Sequence, residues 1–505
     1  MSLLNFKKNI SKDFPASIVV FLVALPLCLG IALASGAPLY SGLISGIIGG
    51  IVVGSISKSA LGVSGPAAGL AVIVLNAISD LGSFEIFLVS VIIAGLIQLI
   101  MGVLKAGIVA YYFPSSVIKG MLAGIGILIF YKQIPNALGT SDFEGITNGI
   151  TINIAIITAI SLGILLLWQT KFIQKIGFLA ILPGALLAVT TGVLLQLFVF
   201  PIGDEFLVKI PSASSTQEFL NNFTFPNFKD GLTSIAVYKT AIVIAIVASL
   251  ETLLCVEASD KQDPKKRITP TNRELIAQGI GNMCAGFIGG LPVTQVIVRS
   301  SANQQAGGQT RTSTIFHGIL LLISIILIPS LLNKIPLATL AAILLIVGYK
   351  LANPTTFKKM YQEGLDQFVP FIITISGIVF TDLLIGIGLG IVVAIFIILR
   401  NNYKVPYFLK HSNENEKGTY SIELSEDVTF LNKASVLNIL DKIPAKSVVS
   451  IDGTKTQFIH RDIIEIIEDF AIKAEVNEIE LTLINLDINL HKKDKPLSHI
   501  KIIKS

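Results

Sequence analysis

Ser64-Gly65-Pro66-Ala67-Ala68-Gly69 opens one short apolar segment, and Gly289-Gly290-Leu291-Pro292-Val293-Thr294 opens another. Around them the sequence from Phe14 to Arg400 is a succession of apolar runs separated by short polar breaks. Glycine and proline interrupt regular helix, so each segment reads as a half-helix entered through broken backbone. The two interruptions sit at matching places in the two halves of the apolar region. Such a pair marks a chain with two structurally related halves and a site between them.

Only 14% of the 505 residues are charged and 52% are hydrophobic, whereas a soluble domain carries about 25% charged residues. A helix needs about 20 apolar residues to cross a bilayer. Windows of this kind fall near 14–35, 39–57, 65–80, 84–104, 112–131, 150–169, 178–199, 236–257, 272–289, 293–306, 312–332, 335–352, 366–382 and 384–402. The fold class is therefore a polytopic α-helical membrane protein with about fourteen spans. A soluble enzyme and a disordered scaffold are excluded, and no enzyme activity is expected. Lys7, Lys8 and Lys12 ahead of a run ending Ala32-Leu33-Ala34 imitate a signal peptide, but that run is long enough to span and another follows at once.

With the N-terminus inside, Lys58, Lys105, Lys171, Lys175, Lys265, Lys266, Arg267, Arg311, Lys358, Lys359 and Arg400 share one side. Asp80, Glu85, Asp142, Glu144, Asp204 and Glu205 fall on the other. The cationic side is cytoplasmic, which places both termini inside a cell (plasma) membrane. The net charge of +5 is thus a matter of topology, and no nucleic-acid partner is expected. The loop from Phe200 to Gly231, with Pro201, Pro211 and Pro226, divides residues 1–402 into repeats of about 1–200 and 232–402. Seven spans per half make the halves opposite in orientation, a 7+7 inverted repeat of the kind found in secondary transporters.

The start of a helix exposes unpaired N–H groups and the positive end of its dipole, so two such starts facing each other make an anion site. Pro66 and Pro292 suit a first helical turn; Ala67, Ala68 and Gly69 let backbone approach a ligand. The plain structural alternative is that these residues only kink two helices. Arg299, in the tenth window, is a candidate anion partner because an intramembrane charge is functional by default. The alternatives are an ion pair with a carboxylate such as Glu251, or snorkelling to the interface. Glu251 lies among apolar residues of the eighth window and can take up H⁺ or hold Na⁺ with nearby hydroxyls; an ion pair with Arg299 or Lys119 is its structural alternative. Glu257 and Asp260 read as solvated, Lys119 as interfacial and Trp168 as an interface anchor. Cys28, Cys255 and Cys284 lack disulfide or metal spacing, and His317 is the one histidine of the apolar part.

After Asn401 the charge density rises. Tyr420 to Leu424, Val448 to Asp452 and Glu478 to Leu486 read as strands, and Ala434 to Ile443 and Asp462 to Ala474 as helices. Residues 411–490 therefore form a small α/β domain with a partly parallel sheet, followed by a basic tail, 491–505. Thr454 and His460 suggest no catalytic arrangement.

The stretch Pro292 to Thr310, with Arg299-Ser300 and Gly307-Gly308-Gln309-Thr310, resembles the SulP family of anion transporters. So do Leu25-Pro26-Leu27, Leu61-Gly62-Val63-Ser64-Gly65-Pro66 and Asn272-Arg273-Glu274-Leu275-Ile276-Ala277-Gln278-Gly279. The C-terminal part resembles the cytoplasmic STAS domain of that family. The resemblance implies core and gate domains, an elevator-like motion, a homodimer and a small inorganic anion such as bicarbonate or sulfate. Carried over by position, it implies Leu27 and Ile31 on the anion site from the first helix, Ala67 and Ala68 from the third, and Val298 and Arg299 from the tenth. It assigns cation coupling to Glu251, with Cys255 and Thr294, and a Na⁺ near Glu251 or a proton. Leu27 and Val298 stand where many sulfate-type members have Gln and Ser, and His460-Arg461 stands where phosphorylated relatives of the C-terminal domain have Asp-Ser. An uncoupled anion channel or exchanger (chloride, other oxyanions), an organic-anion carrier on the same fold, and a membrane-anchored signalling protein are the alternatives.

Overall fold

The computed structural model describes residues 3–108, 114–140, 143–170, 173, 182–211, 223–381, 383–404, 407–412, 418–486 and 500–503. Each of the fourteen apolar windows contains a helix. In chain order these are α1 (Leu3–Ala34), α2 (Leu39–Ile56), α3 (Ala68–Leu81), α4 (Phe84–Val103), α5 (Ser115–Leu138), α6 (Ile152–Trp168), α7 (Gly184–Phe198) and α8 (Ile235–Gln262). They continue with α9 (Thr271–Phe287), α10 (Ile297–Gln305), α11 (Thr312–Leu327), α12 (Leu337–Leu351), α13 (Leu365–Phe380) and α14 (Leu383–Lys404). Among the described residues, six helical stretches are by length and composition sufficient on their own to cross a membrane, among them α1, α4, α5 and α8. A short amphipathic helix, Pro354–Gln362, follows α12 outside the apolar windows. The loop cations Lys171 and Lys175, Asp142, and the beginnings of the fifth and seventh windows lie outside the described residues.

The helices sort into two groups by their neighbours. α4 packs along α9 and α8, and α1 along α2, α10 and α11, joining the first four helices of one half to the first four of the other. α5 packs on α12 and α13, and α6 on α7 and α12. Close crossing needs small residues, since between helices in lipid there is little hydrophobic gain and packing must supply the attraction. At the α5–α12 crossing, a Cβ on Gly126 would meet the Gly348 carbonyl oxygen at 2.7 Å, and one on Gly348 would meet that of Gly126 at 2.7 Å.

The chain divides into two compact units, Met1–Ile391 and Val392–Ser505. In the second, β3 (Tyr407–Ser412), β4 (Thr419–Leu424), β6 (Val448–Asp452), β8 (Glu480–Ile484) and β9 (Ile500–Ile503) form one sheet in that order. β3 pairs antiparallel with β4 and the rest are parallel. β5 (Asp427–Val428) and β7 (Phe458–Ile459) form a small second pair. The apolar stripes of α15 (Lys433–Asp441) and α16 (Arg461–Val476), including Val436, Leu440, Ile463, Ile467 and Phe470, close a core with Ile422, Val449, Ile451, Leu481 and Leu483.

The sheet thus begins before residue 411 and reaches past 490. The expected basic tail is corrected at its end: Ile500–Ile503 is an edge strand beside β8, because its β-branched residues pair with Leu481 to Ile484. Residues 491–499 lie outside the described residues.

Candidate functional site

The chain enters α3 and α10 through extended segments, β1 (Ser64–Pro66) and β2 (Val293–Gln295), which pair antiparallel with Ser64 opposite Gln295 and Pro66 opposite Val293. Proline and glycine prevent helix here, and the pairing satisfies backbone groups that a membrane interior would leave without partners. Ala67 (φ −105°, ψ 132°) and Val296 (φ −122°, ψ 129°) are extended N-cap residues, so helix begins at Ala68 and Ile297. Pro66 and Pro292 therefore precede the helices instead of occupying their first turns; the residues that stop one segment are used to make the strand crossing. Because the strands are antiparallel, α3 and α10 leave the pair in opposite directions.

Three polar residues of α9, spaced four apart and hence on one face, hold this crossing. Gln278 Nε2 donates to Ser64 Oγ of β1 (2.8 Å) and to Glu274 Oε1 (2.8 Å), and Ser57 Oγ donates to Glu274 Oε2. One turn on, Asn282 Oδ1 accepts from Val293 N–H (2.5 Å) and Asn282 Nδ2 donates to the Val293 carbonyl (3.1 Å) and to Gln98 Oε1 (2.6 Å). Gln98 Nε2 in turn donates to Ser249 Oγ of α8 (3.2 Å). None of these was anticipated as part of the site. The signal was present as a polar i, i+4, i+8 series inside an apolar window.

A cavity of about 150 Å³ lies at the starts of α3 and α10. Of the residues expected at the site, Leu27, Ile31, Ala68, Val298, Arg299, Glu251 and Cys255 line it. Leu122 of α5 and Val347 and Leu351 of α12 complete the wall from the other helix group, which sequence reading missed. Ala67 and Thr294 are not on the wall. Ala67 is buried as the N-cap of α3, and Thr294 is buried in β2 opposite Gly65, its hydroxyl without a partner. Both belong to the strand crossing because the helices start later than expected.

Arg299 is 1% exposed, and neither of its terminal nitrogens makes a hydrogen bond. The expected alternative, an ion pair with Glu251, is not found among the described residues. The guanidinium is lodged against the backbone of Gly65, where a Cβ would collide with Nη1. Beside it lie Gly46 and Cys28. Glu251, 9% exposed, sits over the start of α3: a Cβ on Gly69 would come within 2.8 Å of both carboxylate oxygens, and Oε2 has no partner. Lys119 pairs instead with Glu363 at 3.6 Å.

Val298 is 55% exposed. Together with Leu27 and Val347 it also lines a second cavity of about 510 Å³, rimmed by Trp168, Gln169, Gln305 and Lys350. Trp168 is therefore a vestibule residue, its Nε1 donating to the Leu182 carbonyl (3.0 Å). The rim lies at the helix ends that adjoin the cation-bearing loops.

Near those loops, Asp260 is less free than expected: Thr269 N–H (2.7 Å) and Oγ1 (2.8 Å) both donate to its carboxylate. Partial burial works against ionisation of Asp263. The Arg267 side chain (Nε to Oδ2, 2.7 Å), the amides of Lys265 and Arg267 and the charge of Arg267 outweigh it, holding that carboxyl below its ordinary range.

A helical membrane chain with a small, charge-bearing cavity between two oppositely directed broken helices has the construction of a transporter. Residues 10–375 match the sulfate permease family, and the chain belongs to that family of membrane anion transporters. It is 30% identical over 407 residues to the Bacillus subtilis (strain 168) protein named "Putative sulfate transporter YvdB", covering 78% of this chain and 74% of the relative. It is 27% identical over 406 residues to the Bicarbonate transporter BicA of Picosynechococcus sp., covering 77% and 70%. Among solved structures, murine Solute Carrier 26 family member A9 in its inward-facing state superposes with a TM-score of 0.77 over 98% of this chain and 90% of that one, at 15% identity. The transmembrane domain of a cyanobacterial BicA superposes with a TM-score of 0.62 over 77% and 97%, at 22% identity.

Proposed function

We propose that this protein is a secondary transporter of a small inorganic anion, bicarbonate or sulfate, across the cell membrane. One observation carries the reading: Arg299, whose buried guanidinium has two unpartnered terminal nitrogens, is a wall residue of a cavity formed by the starts of two oppositely directed helices. A cation taken from water into such a site costs several kcal/mol unless something compensates it, and an anion also meets the unpaired helix amides.

Cation coupling falls to Glu251, which faces the same cavity with one carboxylate oxygen unsatisfied. Its partner is H⁺ or Na⁺, carried as a co-substrate; the Cys255 thiol and the Thr294 hydroxyl are the nearby groups available to a bound cation. The helices α1–α4 with α8–α11 act as the moving core, α5–α7 with α12–α14 as the gate, in an elevator-like exchange. Fourteen spans, cytoplasmic termini, a cytoplasmic STAS-like domain and a homodimer complete the assignment. Support comes from family membership, the loop charge asymmetry and the division of helices into two groups.

The test is uptake of labelled anions into proteoliposomes of the full chain, with and without imposed pH and sodium gradients. Accumulation above equilibrium on one of those gradients is the expected result. A current that persists with no cation gradient and no counter-anion would replace the carrier by a channel. Absence of flux for every anion would remove the transport assignment.

A further inference from the structure

We infer that the site accepts singly charged small anions, of the bicarbonate, formate, nitrate or chloride kind, and excludes doubly charged tetrahedral ones such as sulfate. This rests on the transport reading above and narrows its substrate.

Two ionisable side chains of opposite sign, Arg299 and Glu251, reach the cavity wall besides the Cys255 thiol. The remaining wall is apolar side chain, with Leu27, Ile31, Leu122, Leu254, Val298 and Val347 among it, and helix-start backbone. Among the described residues, no side-chain hydroxyl or amide is on that wall. The Thr294 hydroxyl is without a partner but lies in β2, off this wall, and Ser300 Oγ accepts from Val63 N–H (3.0 Å) and donates to the Val296 carbonyl (2.8 Å). Ser64 Oγ accepts from Gln278, and Thr252 Oγ1 accepts from Gln295 N–H (3.3 Å).

Charge decides the matter, because size does not: both anion classes are small enough for the cavity. The cost of removing an ion from water grows with the square of its charge, about fourfold from one to two. The attraction to a fixed cation and to helix-end dipoles grows only in proportion to the charge. A doubly charged guest therefore needs additional donors or a second cation, as a buried charge requires partners for its remaining lone pairs, and this wall supplies neither. The formal count points the same way. With H⁺ or Na⁺ on Glu251, one negative charge balances Arg299; a second stands uncompensated beside an apolar wall.

The experiment compares labelled bicarbonate, formate, chloride and sulfate as substrates of the full chain in proteoliposomes, under the same imposed gradients. Competition of each unlabelled anion against bicarbonate uptake runs alongside. Uptake of at least one monovalent anion with sulfate at least tenfold slower, and sulfate failing to compete at tenfold excess, is the expected result. Sulfate carried as fast as the monovalent anions overturns the inference while leaving the transport reading intact. No flux of any anion overturns the transport reading itself. Val298→Ser adds a hydroxyl donor at an exposed position in the first turn of α10, where serine is well tolerated. It should raise the sulfate-to-bicarbonate ratio several-fold; an unchanged ratio in a folded, transporting variant overturns the argument from the wall.

Discussion

A guanidinium kept in a protein interior with no carboxylate partner among the described residues is costly in the empty state, so its removal should cost little stability and much affinity. Each hydrogen bond to a charged group contributes about 1.5–3 kcal/mol. Arg299→Ala should therefore raise the half-saturating anion concentration about 10- to 100-fold, with the thermal midpoint unchanged or higher. Wild-type affinity in concentration-dependent uptake would make Arg299 a packing residue. Glu251→Gln keeps the shape over Gly69 but removes the carboxylate proposed to take up a cation. Gradient-driven accumulation should disappear while exchange of labelled for unlabelled anion continues. Persistence of accumulation would move coupling elsewhere. Both residues were legible in the sequence for one reason, that an intramembrane charge has no innocent explanation. Ala67 and Thr294 lie off the cavity wall because position relative to the true helix start decides which side chains reach it, and composition does not give that start to within a residue.

The interruptions in the third and tenth windows were legible because glycine and proline act locally. The pairing of β1 with β2 was not, since it joins Ser64 to Gln295 and no local pattern encodes so distant a register. The α9 series Glu274, Gln278 and Asn282 lay hidden for a similar reason: its partners are Ser57 just past α2, Gln98 of α4 and residues of both strands. Asn282 satisfies both backbone groups of Val293. Asn282→Ala should thus leave a buried amide and carbonyl unpaired at about 1–3 kcal/mol. A lowered midpoint in thermal unfolding of the detergent-solubilised protein checks this, and a midpoint equal to wild type would mean that β1–β2 stands unaided.

In the loop after α8, Asp263 is ionised more readily than an ordinary aspartate because Arg267 and two amides hold its charged form. A carboxyl depressed on folding stabilises the fold above its unfolded-state value, near 3.8, and that contribution is lost as pH falls through the folded value. Asp263→Asn should accordingly be less stable than wild type near neutral pH. The gap should close below about pH 4, as read in midpoints measured across that range; a gap independent of pH would assign the loss to packing.

At the scale of the molecule, the cavity wall is shared between two groups of helices, which also meet where α1 packs on α12 and α7. Leu27 and Val298 come from one, Leu122 and Val347 from the other. The division is the one expected of an inverted repeat with an odd number of windows per half. The contribution of α5 and α12 to the wall needed the three-dimensional arrangement, because Leu122 and Val347 are ordinary apolar residues in ordinary apolar runs. The vestibule reaching Val298 past Trp168 and Lys350 opens this wall toward the cation-bearing loops.

If the groups exchange positions during transport, a thiol at Val298 must meet each side of the membrane in turn. Val298→Cys in sided vesicles should be modified by an impermeant cationic thiol reagent from either face, faster than the native Cys255 in the parent protein. An outward anion gradient should slow one rate as it speeds the other, since an occupied, inward-turned site is withdrawn from the outer solution. Two rates that rise together would describe an open pore, and modification from a single face under every gradient would describe a fixed binding site with no alternating access.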